Sequence, residues 1–291
     1  MPVLGRLAER QLLVVTGKGG VGKTTLTSVL GHLLAEAGQR VLLLEVEPRE
    51  SLHQALGTEP SGGAVVQAGP RLWLQNLKPE AVIEGLVAEK VPIAFLARKI
   101  VASDAFHQFV EGAPGLKETA LLGYAYRLLE TGHPLKIDLV LVDAPATGHG
   151  AALLAAPGLL AQAAREGQLG EMAAELAAFL ADGTRCGVAL ATLAEEMPVQ
   201  ETLELLELMG STLGIRAELV VANGLYPAPA PGGPPGPGAE LLRARRRLNE
   251  EELARLTAAW QGPLVTLPLL ALERGPALVQ ALAEAFKAAD P

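Results

Sequence analysis

A glycine-rich segment near the amino end has the residue types and the spacing that bind phosphate. It fits the pattern G-x-x-x-x-G-K-[ST] at every fixed position from Gly17 to Thr24. Glycines let backbone N–H groups turn inward around phosphate oxygens, and the positive end of the following helix adds to the attraction. We expect Lys23 to bridge the β- and γ-phosphates of a nucleotide and the Thr24 hydroxyl to bind Mg²⁺. The predicted nucleotide-binding residues of this segment are Gly17, Lys18, Gly19, Gly20, Val21, Gly22, Lys23, Thr24 and Thr25.

The residues on either side of this loop have the patterns of the two elements that such a loop needs. Before it, the apolar run 12–16 has the length and composition of a buried strand. After it, apolar residues recur on one face of a predicted helix, at Leu26, Val29, Leu30, Leu33 and Leu34. A glycine-rich turn without a ligand is the alternative. Because strand, loop and helix follow one another in the required order, the sequence favours a phosphate-binding loop.

Two further apolar runs end in carboxylates. The run 40–46 is followed by Glu47, and the run 135–143 ends at Asp143. In a parallel sheet the carboxyl ends of the strands meet at the edge where ligands bind. We therefore expect Asp143 to hold Mg²⁺ through water, so that the predicted metal ligands are Thr24 and Asp143. We expect Glu47 to meet the γ-phosphate or the water that attacks it, with a surface turn as the alternative.

Apolar runs and helical patterns alternate along the rest of the chain. The further candidate strands are 71–76, 186–192, 218–222 and 264–267. This alternation is typical of a doubly wound α/β fold, in which helices flank a mostly parallel sheet. We predict a P-loop NTPase fold that forms a single domain over residues 1–291. Asn223 follows one of these strands, where its amide could pair with adenine, although a turn residue is the alternative.

Two stretches depart from this alternation. Residues 79–132 have a helical pattern that is longer than one strand-helix-strand connection needs. We interpret them as a helical insertion on the sheet, where a client could bind; helices that only cover the sheet are the alternative. Residues 227–238 consist of proline, glycine and alanine alone. Because this composition cannot pack into a core, we predict a flexible surface loop.

Charge and composition exclude several classes of function. The chain has 24 Lys and Arg against 32 Asp and Glu, and the net charge of −8 argues against nonspecific binding to nucleic acid or anionic lipid. Cys186 is the only cysteine, which excludes a disulfide framework and a cysteine-based metal site. No apolar run reaches the ~18 residues of a membrane span. The first strand also leaves no room for a signal peptide, so we expect a cytoplasmic protein that binds no nucleic acid.

Several segments match the motifs of one ATPase family. The phosphate loop has a second lysine, Lys18, directly after its first glycine, as in a deviant Walker A motif. The sequence from Asp143 to His149 reads D-A-P-A-T-G-H, whereas MinD/ParA proteins have a shorter D-x-P-A-G form. Further matching segments lie at 114–118, 195–202, 220–223 and 267–269. Together these segments resemble the family of arsenite-pump ATPases and tail-anchored-protein targeting ATPases.

This resemblance implies a dimeric ATPase that uses ATP and Mg²⁺. It implies that Lys18 reaches across the dimer interface to the partner's nucleotide, so that the predicted catalytic residues are Lys18, Lys23, Glu47 and Asp143. The segments similar to the adenine-binding segments of the family contain Asn223, Pro268 and Leu269. The partner subunit would be a second copy or a related chain. Hydrolysis of ATP to ADP would drive a conformational change that handles a protein client or a membrane-linked partner.

The segment Glu45-Val46-Glu47 differs from the S-T-D pattern of many family members. Glu47 is one methylene longer than the expected aspartate, and catalysis depends on accurate placement. An alternative function is therefore a nucleotide-binding partner or assembly protein with very slow or no ATP turnover. A MinD/ParA-like positioning ATPase is a further alternative. A single cysteine supplies neither the metalloid site nor the zinc-sharing cysteine pair of other members.

Overall fold

The protein is built on an eight-stranded sheet with helices on both faces. The computed structural model describes residues 2–46, 50–91, 93–130, 134–145, 150–164, 167–228 and 236–290. The strands are β1 Leu12–Thr16, β2 Val41–Glu45, β3 Val66–Gly69, β4 Leu72–Asn76, β5 Leu139–Asp143, β6 Cys186–Leu193, β7 Ala217–Leu225 and β8 Leu264–Pro268.

The strands lie in the order β3-β4-β2-β5-β1-β6-β7-β8. All neighbouring strands run parallel except β3 and β4, which are antiparallel. This arrangement confirms the predicted α/β fold with a doubly wound, mostly parallel sheet. The central strands are apolar throughout because both faces of a parallel sheet are covered. The edge strand β3 was not predicted, since its four half-exposed residues contain no long apolar run.

Twelve α-helices lie within the described residues, together with a π-helical turn at Met209–Leu213. The helices are α1 Val3–Ala8, α2 Lys23–Glu36, α3 Leu52–Leu56, α4 Pro79–Lys90, α5 Ala94–Val101, α6 Asp104–Gly112, α7 Leu116–Glu130, α8 Gly150–Ala163, α9 Gln168–Ala181, α10 Glu196–Leu208, α11 Pro237–Ala259 and α12 Pro276–Ala289.

The central strand β1 divides its side chains between two apolar cores. Leu12 and Val14 face a core that α7 and α9 cover. Leu13 and Val15 face the opposite core, which contains the apolar side of α2 and, from α12, the fully buried Phe286. This alternation of side chains along a strand fixes the face on which the phosphate-loop helix α2 lies.

Two of the predicted strands are shorter than expected. The run 40–46 forms a strand only over Val41–Glu45, and the run 135–143 only over Leu139–Asp143. Lys136 has a φ of 50°, a left-handed conformation that interrupts an extended chain. Asp138 then accepts a hydrogen bond from the backbone N–H of Arg40 at 2.9 Å, which aligns the starts of β2 and β5.

The helical stretch 79–132 contains elements of two kinds. Helix α7 buries Leu121 and Leu122 against the sheet, and α4 buries Ile83 in the same core. Helices α5 and α6, with the residue before α5, expose large apolar side chains, namely Ile93, Phe95, Leu96 and Phe109. That this stretch is an insertion stays a prediction. Within the predicted flexible loop 227–238, residues 229–235 lie outside the described residues.

The two ends of the described chain meet at the start of α1. The carboxylate of Asp290 accepts hydrogen bonds from the backbone N–H groups of Val3 at 2.7 Å and Leu4 at 3.1 Å. These are among the N–H groups that have no partner inside their own helix. Asp290 therefore caps α1 from the opposite end of the chain.

We predict that Asp290→Ala lowers the free energy of unfolding by about 1 kcal/mol, because both N–H groups lose their acceptor. Denaturation in urea, followed by circular dichroism, measures this change. Asp290→Asn is the matched control, since its amide oxygen still accepts one of these bonds. Equal stability of Asp290→Ala and wild type would show that the cap contributes nothing.

Candidate functional site

The predicted phosphate loop connects the end of β1 to the start of α2. Two of its glycines are required by close contacts. A Cβ atom at Gly17 would lie 2.2 Å from the backbone oxygen of Ala191, and one at Gly22 would lie 2.2 Å from Nδ2 of Asn223. Both glycines also have positive φ, 144° and 96°. At these two positions the loop therefore packs too closely against β6 and β7 to accept a larger residue.

The two lysines of the loop point in different directions. Lys23, the first residue of α2, is buried and donates from Nζ to the backbone oxygen of Lys18 at 3.0 Å. Its ammonium group therefore lies over the loop itself. The side chain of Lys18 turns outward and pairs with Glu201 of α10, and both side chains are more than one-third exposed. An exposed ion pair of this kind contributes about 0–1 kcal/mol, so Lys18 can exchange this partner at little cost.

Asp143 lies at the end of β5, directly beside the first turn of α2. Its Oδ2 accepts a hydrogen bond from the Thr24 hydroxyl at 2.6 Å, and its Oδ1 accepts one from the Thr27 hydroxyl at 3.1 Å. Thr27 was not among the predicted site residues. Its position three residues after Thr24, on the same face of the helix, is the signal that could have identified it.

Burial raises the pKa of Asp143 to about 7, because the charged carboxylate has lost its water. The Thr24 hydrogen bond opposes this change, whereas the neighbouring carboxylate of Glu45 adds to it. Glu45 is itself buried at the end of β2, and burial raises its pKa as well. Two carboxylates thus share a buried region next to the loop that is predicted to bind phosphate.

The residues at this point fit a magnesium ion. Thr24 and Asp143 present a hydroxyl and a carboxylate oxygen 2.6 Å apart. Mg²⁺ prefers oxygen ligands and is usually held by one or two carboxylates together with substrate phosphates. Across the described ranges there is no group of three or more His, Cys, Asp or Glu residues that could hold a metal by itself.

Asn223, Pro268 and Leu269 lie together at the carboxyl ends of β7 and β8. Nδ2 of Asn223 donates to the backbone oxygen of Val21 at 3.0 Å, so this side chain contacts the phosphate loop directly. The N–H of Leu269 donates to the backbone oxygen of Leu225 at 2.8 Å. These positions are compatible with adenine contacts, which stay a prediction.

The structure does not describe every residue that the sequence analysis singled out. Glu47 lies outside the described residues, and so does the segment 146–149 that contains His149. Sequence reasoning did not identify Glu45 or Glu201 as site residues. Glu45 follows four apolar residues at the end of β2, the position at which a carboxylate can reach the ligand-binding edge. The pairing of Glu201 with Lys18 has no signal in the sequence, because it depends on how α10 packs.

The model of the family described as anion-transporting ATPase matches residues 10–175, which is more than half of the chain. The chain belongs to this family. Its fold and its site geometry agree with this assignment, which also confirms the resemblance inferred from the motifs.

Several relatives are named as ATPases. The ATPase BagA of Mycobacterium tuberculosis is 31% identical over 211 residues, which cover 69% of this chain and 62% of BagA. The ATPase ASNA1 homolog 1 of Paramecium tetraurelia is 27% identical, over 55% of this chain and 48% of the relative. The ATPase asna-1 of Caenorhabditis elegans is 29% identical, over 51% of this chain and 45% of the relative. The chain thus spans only about half to three-fifths of the length of these relatives.

Two further observations concern the rest of the molecule. No helix in the described part of the chain is long and apolar enough to cross a membrane. Cys186 is buried at the start of β6, and burial raises the pKa of its thiol to about 12. Because the thiolate is the form that binds metals and reacts, this cysteine is chemically inert.

The raised pKa of Asp143 predicts a dependence of stability on pH. Between its ordinary pKa of 3.8 and the folded value of about 7, the folded protein holds a proton that the unfolded chain has lost. Stability should therefore fall as the pH rises through this range. Asp143→Asn has no such proton, so we predict that the unfolding free energy of this variant minus that of wild type increases from pH 4 to pH 7.

This difference in unfolding free energy should grow by on the order of a few kcal/mol up to pH 7, in the absence of metal and nucleotide. Urea denaturation at several pH values measures it, with Glu9→Gln as a control at an exposed carboxylate. If the two unfolding curves stay parallel between pH 4 and pH 7, the carboxyl group of Asp143 titrates at an ordinary pKa.

Proposed function

We propose that this protein is a Mg²⁺-dependent ATPase that works as a dimeric switch and handles a protein client or a membrane-linked partner. The observation that supports it best is the 2.6 Å hydrogen bond between Thr24 and Asp143, beside Lys23 in a phosphate loop. A P-loop NTPase brings these three groups together at the phosphates and the cation of a nucleotide. Membership of a family whose named relatives are ATPases supports the same conclusion.

The residues of the site divide the work of ATP binding. The backbone N–H groups of residues 17–22 and the Lys23 ammonium group would hold the phosphates. Thr24 and Asp143 would hold Mg²⁺, which when bound neutralises charge on the β- and γ-phosphates. Asn223, Pro268 and Leu269 would contact the adenine. Electrostatic stabilisation and accurate positioning would then account for most of the catalysis.

Two acidic residues are proposed to affect the rate of hydrolysis, one through the attacking water and one through Lys18. Glu47 is proposed to position the attacking water, a role carried over from the aspartate of related proteins. Glu201 pairs with Lys18 within the same chain. In a dimer, Lys18 would leave Glu201 and stabilise charge on the partner's nucleotide. Because the pair is exposed and weak, formation of the dimer can break it.

Helices α5 and α6 provide the surface proposed for the client. Phe95 is 77% exposed, and Ile93, Phe109 and Leu96 expose between 44% and 62% of their surface. Neighbouring exposed apolar side chains of this size indicate a site of interaction with a protein or a membrane. This surface is connected to the sheet through α4 and α7, which supports a role in transmitting the nucleotide state to a client.

The second candidate function is a nucleotide-binding partner or assembly protein with very slow or no turnover. Glu47, where related proteins have aspartate, is the residue that favours it. A MinD/ParA-like positioning ATPase is less well supported. The net charge of −8 disfavours binding to DNA or anionic lipid, and the family match is to anion-transporting ATPases.

The proposed ATPase is tested with variants of the two loop lysines. We predict that Lys23→Ala abolishes detectable ATP binding, because the phosphates lose their principal cation. Lys18→Ala should bind ATP as wild type does but hydrolyse it on the order of a thousandfold more slowly, as when a cation supplied in trans is lost. Calorimetry measures binding and phosphate release measures turnover, with the exposed Lys90→Ala as the control.

Mixing the two variants tests whether Lys18 acts across a dimer. A mixed dimer contains one intact nucleotide site and one partner that still supplies Lys18, so the mixture should regain turnover that neither variant has alone. No recovery would contradict action in trans. A wild-type protein that neither binds nor hydrolyses ATP in the presence of Mg²⁺ would overturn the proposed function.

The two candidate functions are separated by Glu47→Asp. If Glu47 slows hydrolysis because it is one methylene too long, the shorter side chain should raise kcat well above that of wild type, with the Kd for ATP unchanged. That result favours the partner or assembly function for the natural chain. Unchanged or lower kcat shows instead that the site is adapted to glutamate, which supports the ATPase.

A further inference from the structure

Three buried polar side chains stand side by side at the carboxyl ends of neighbouring strands. Asn76 of β4 is in register with Glu45 of β2, which is in register with Asp143 of β5. Each exposes 4% or less of its surface. Buried polar groups at such positions are normally bonded to partners with a definite role.

The carboxylate of Glu45 holds the beginning of α3. Its Oε1 accepts a hydrogen bond from the backbone N–H of Ser51 at 2.7 Å, and both of its oxygens lie 3.3 Å from the backbone nitrogen of Leu52. The side chain of Asn76 also bonds to it, which lowers the pKa that burial raises. The Glu45 carboxylate therefore ties the start of α3 to the end of β2.

A second carboxylate fixes the same segment from the other side. Glu50, the residue before Ser51, accepts hydrogen bonds from the backbone N–H groups of Ser61 at 2.5 Å and Gly62 at 3.0 Å. The hydroxyl of Ser61 in turn accepts a hydrogen bond from the N–H of Asn76 at 2.8 Å. The two carboxylates and Asn76 thus form one connected network around the start of α3.

The network continues to helix α7. Nε2 of Gln75 donates to the backbone oxygen of Gly63 at 2.9 Å, and the hydroxyl of Tyr124 donates to Oε1 of Gln75 at 3.1 Å. Gln75 is buried, whereas Gly63 is exposed and Tyr124 is half-buried. Hydrogen bonds in series polarise one another, and Gln75 joins the segment at Gly63 to α7 in this way.

We propose that Glu45 is a positioning residue for ATP hydrolysis and the first member of a hydrogen-bonded connection from the Asp143 region to Tyr124 of α7. This inference rests on the proposed function. Glu45 touches none of the groups assigned to ATP; it acts by fixing Ser51 and Leu52, and so the end of the segment that begins after β2. A displacement there reaches Ser61 and Gly62 through Glu50, Gly63 through the Ser61 hydroxyl, and α7 through Gln75.

The position of the Glu45 carboxylate, rather than its charge alone, is what the connection requires. Glu45→Asp keeps the charge beside Asp143 but is too short to keep the bonds to Ser51 and Leu52. Glu45→Gln keeps the length but loses the charge and one acceptor. If the charge alone matters, Glu45→Asp behaves as wild type. If position matters, Glu45→Asp loses function. Glu45→Gln loses it as well, because the nitrogen that replaces one oxygen cannot accept a hydrogen bond.

We predict that both variants bind ATP with a Kd within about twofold of wild type while kcat falls on the order of 10- to 100-fold, since small errors in placement are costly. Glu59→Asp, at an exposed position after α3, is the matched control. Hydrogen exchange gives a readout that is independent of turnover: the amides of Ser51 and Leu52 should exchange faster in Glu45→Asp. Wild-type kcat together with unchanged exchange in Glu45→Asp overturns the proposal.

Tyr124→Phe tests the far end of the connection, because it removes one hydroxyl far from the groups assigned to ATP. In wild type, a non-hydrolysable ATP analogue with Mg²⁺ should change hydrogen exchange across residues 116–130. Tyr124→Phe should bind the analogue equally well and show a smaller change. An equal change in both proteins overturns the connection to α7.

Two further outcomes are informative. If Glu45→Asp does not fold, Glu50→Gln replaces it, since it weakens the hold on the same segment from the other side and should lower kcat at unchanged Kd. Full activity of Glu50→Gln would then contradict the proposal. A wild-type protein that binds no ATP overturns the proposed function and this inference together, whereas active wild type with unaffected variants overturns this inference alone.

Discussion

The structure depends on one buried carboxylate and the two hydroxyl groups that donate to it. Asp143 ends the strand β5, and Thr24 and Thr27 lie on the first turns of α2, so their hydrogen bonds join the phosphate-loop helix to the sheet. A carboxylate that is 1% exposed would be costly without such donors. The same bonds hold Thr24 at the position that the proposed cation site requires. Burial favours the neutral form of Asp143 and so raises its pKa, because the hydrogen bonds from Thr24 and Thr27 only partly offset the loss of water. The proposed binding of a cation requires the charged form instead, so stability and the proposed chemistry favour different protonation states.

The strand order explains why residues distant in sequence meet at this carboxylate. Strand β5 lies between β2 and β1, so Asp143 has Glu45 on one side and the phosphate loop on the other. Beyond β1, the strands β6 and β7 carry the close contacts that require glycine at positions 17 and 22. The phosphate loop, the carboxylates of Glu45 and Asp143, and Asn223 thus lie at one edge of the sheet. The parallel arrangement alone is sufficient for this, because it places the carboxyl ends of these strands at the same edge.

The features of the fold and the site that could be predicted are those that are local in sequence. The phosphate loop and Asp143 could be predicted because each is a fixed pattern or a charge next to an apolar run. The hydrogen bonds of Glu45 could not, because they depend on register with Asn76 and on Ser51 and Leu52 lying at the same strand end. The antiparallel β3 was missed because an edge strand with half-exposed residues has no apolar signal. The pairing of Lys18 with Glu201 depends on helix packing, which no spacing in the sequence encodes.

Helix α7 lies between the hydrogen-bonded connection that begins at Glu45 and the exposed apolar surface on α5 and α6. Helix α7 is anchored by Leu121 and Leu122 in the core, so it cannot absorb a displacement by bending freely. Its Tyr124 hydroxyl also donates a hydrogen bond to Gln75, and the helix packs against α4, which precedes α5. Interiors are close-packed and transmit strain instead of dissipating it. A helix that packs on the core, with a polar contact to Gln75 and apolar contacts to α4, is therefore suited to couple the two. The exposed helices can change position with little loss of buried area, because little of their apolar surface is buried to begin with.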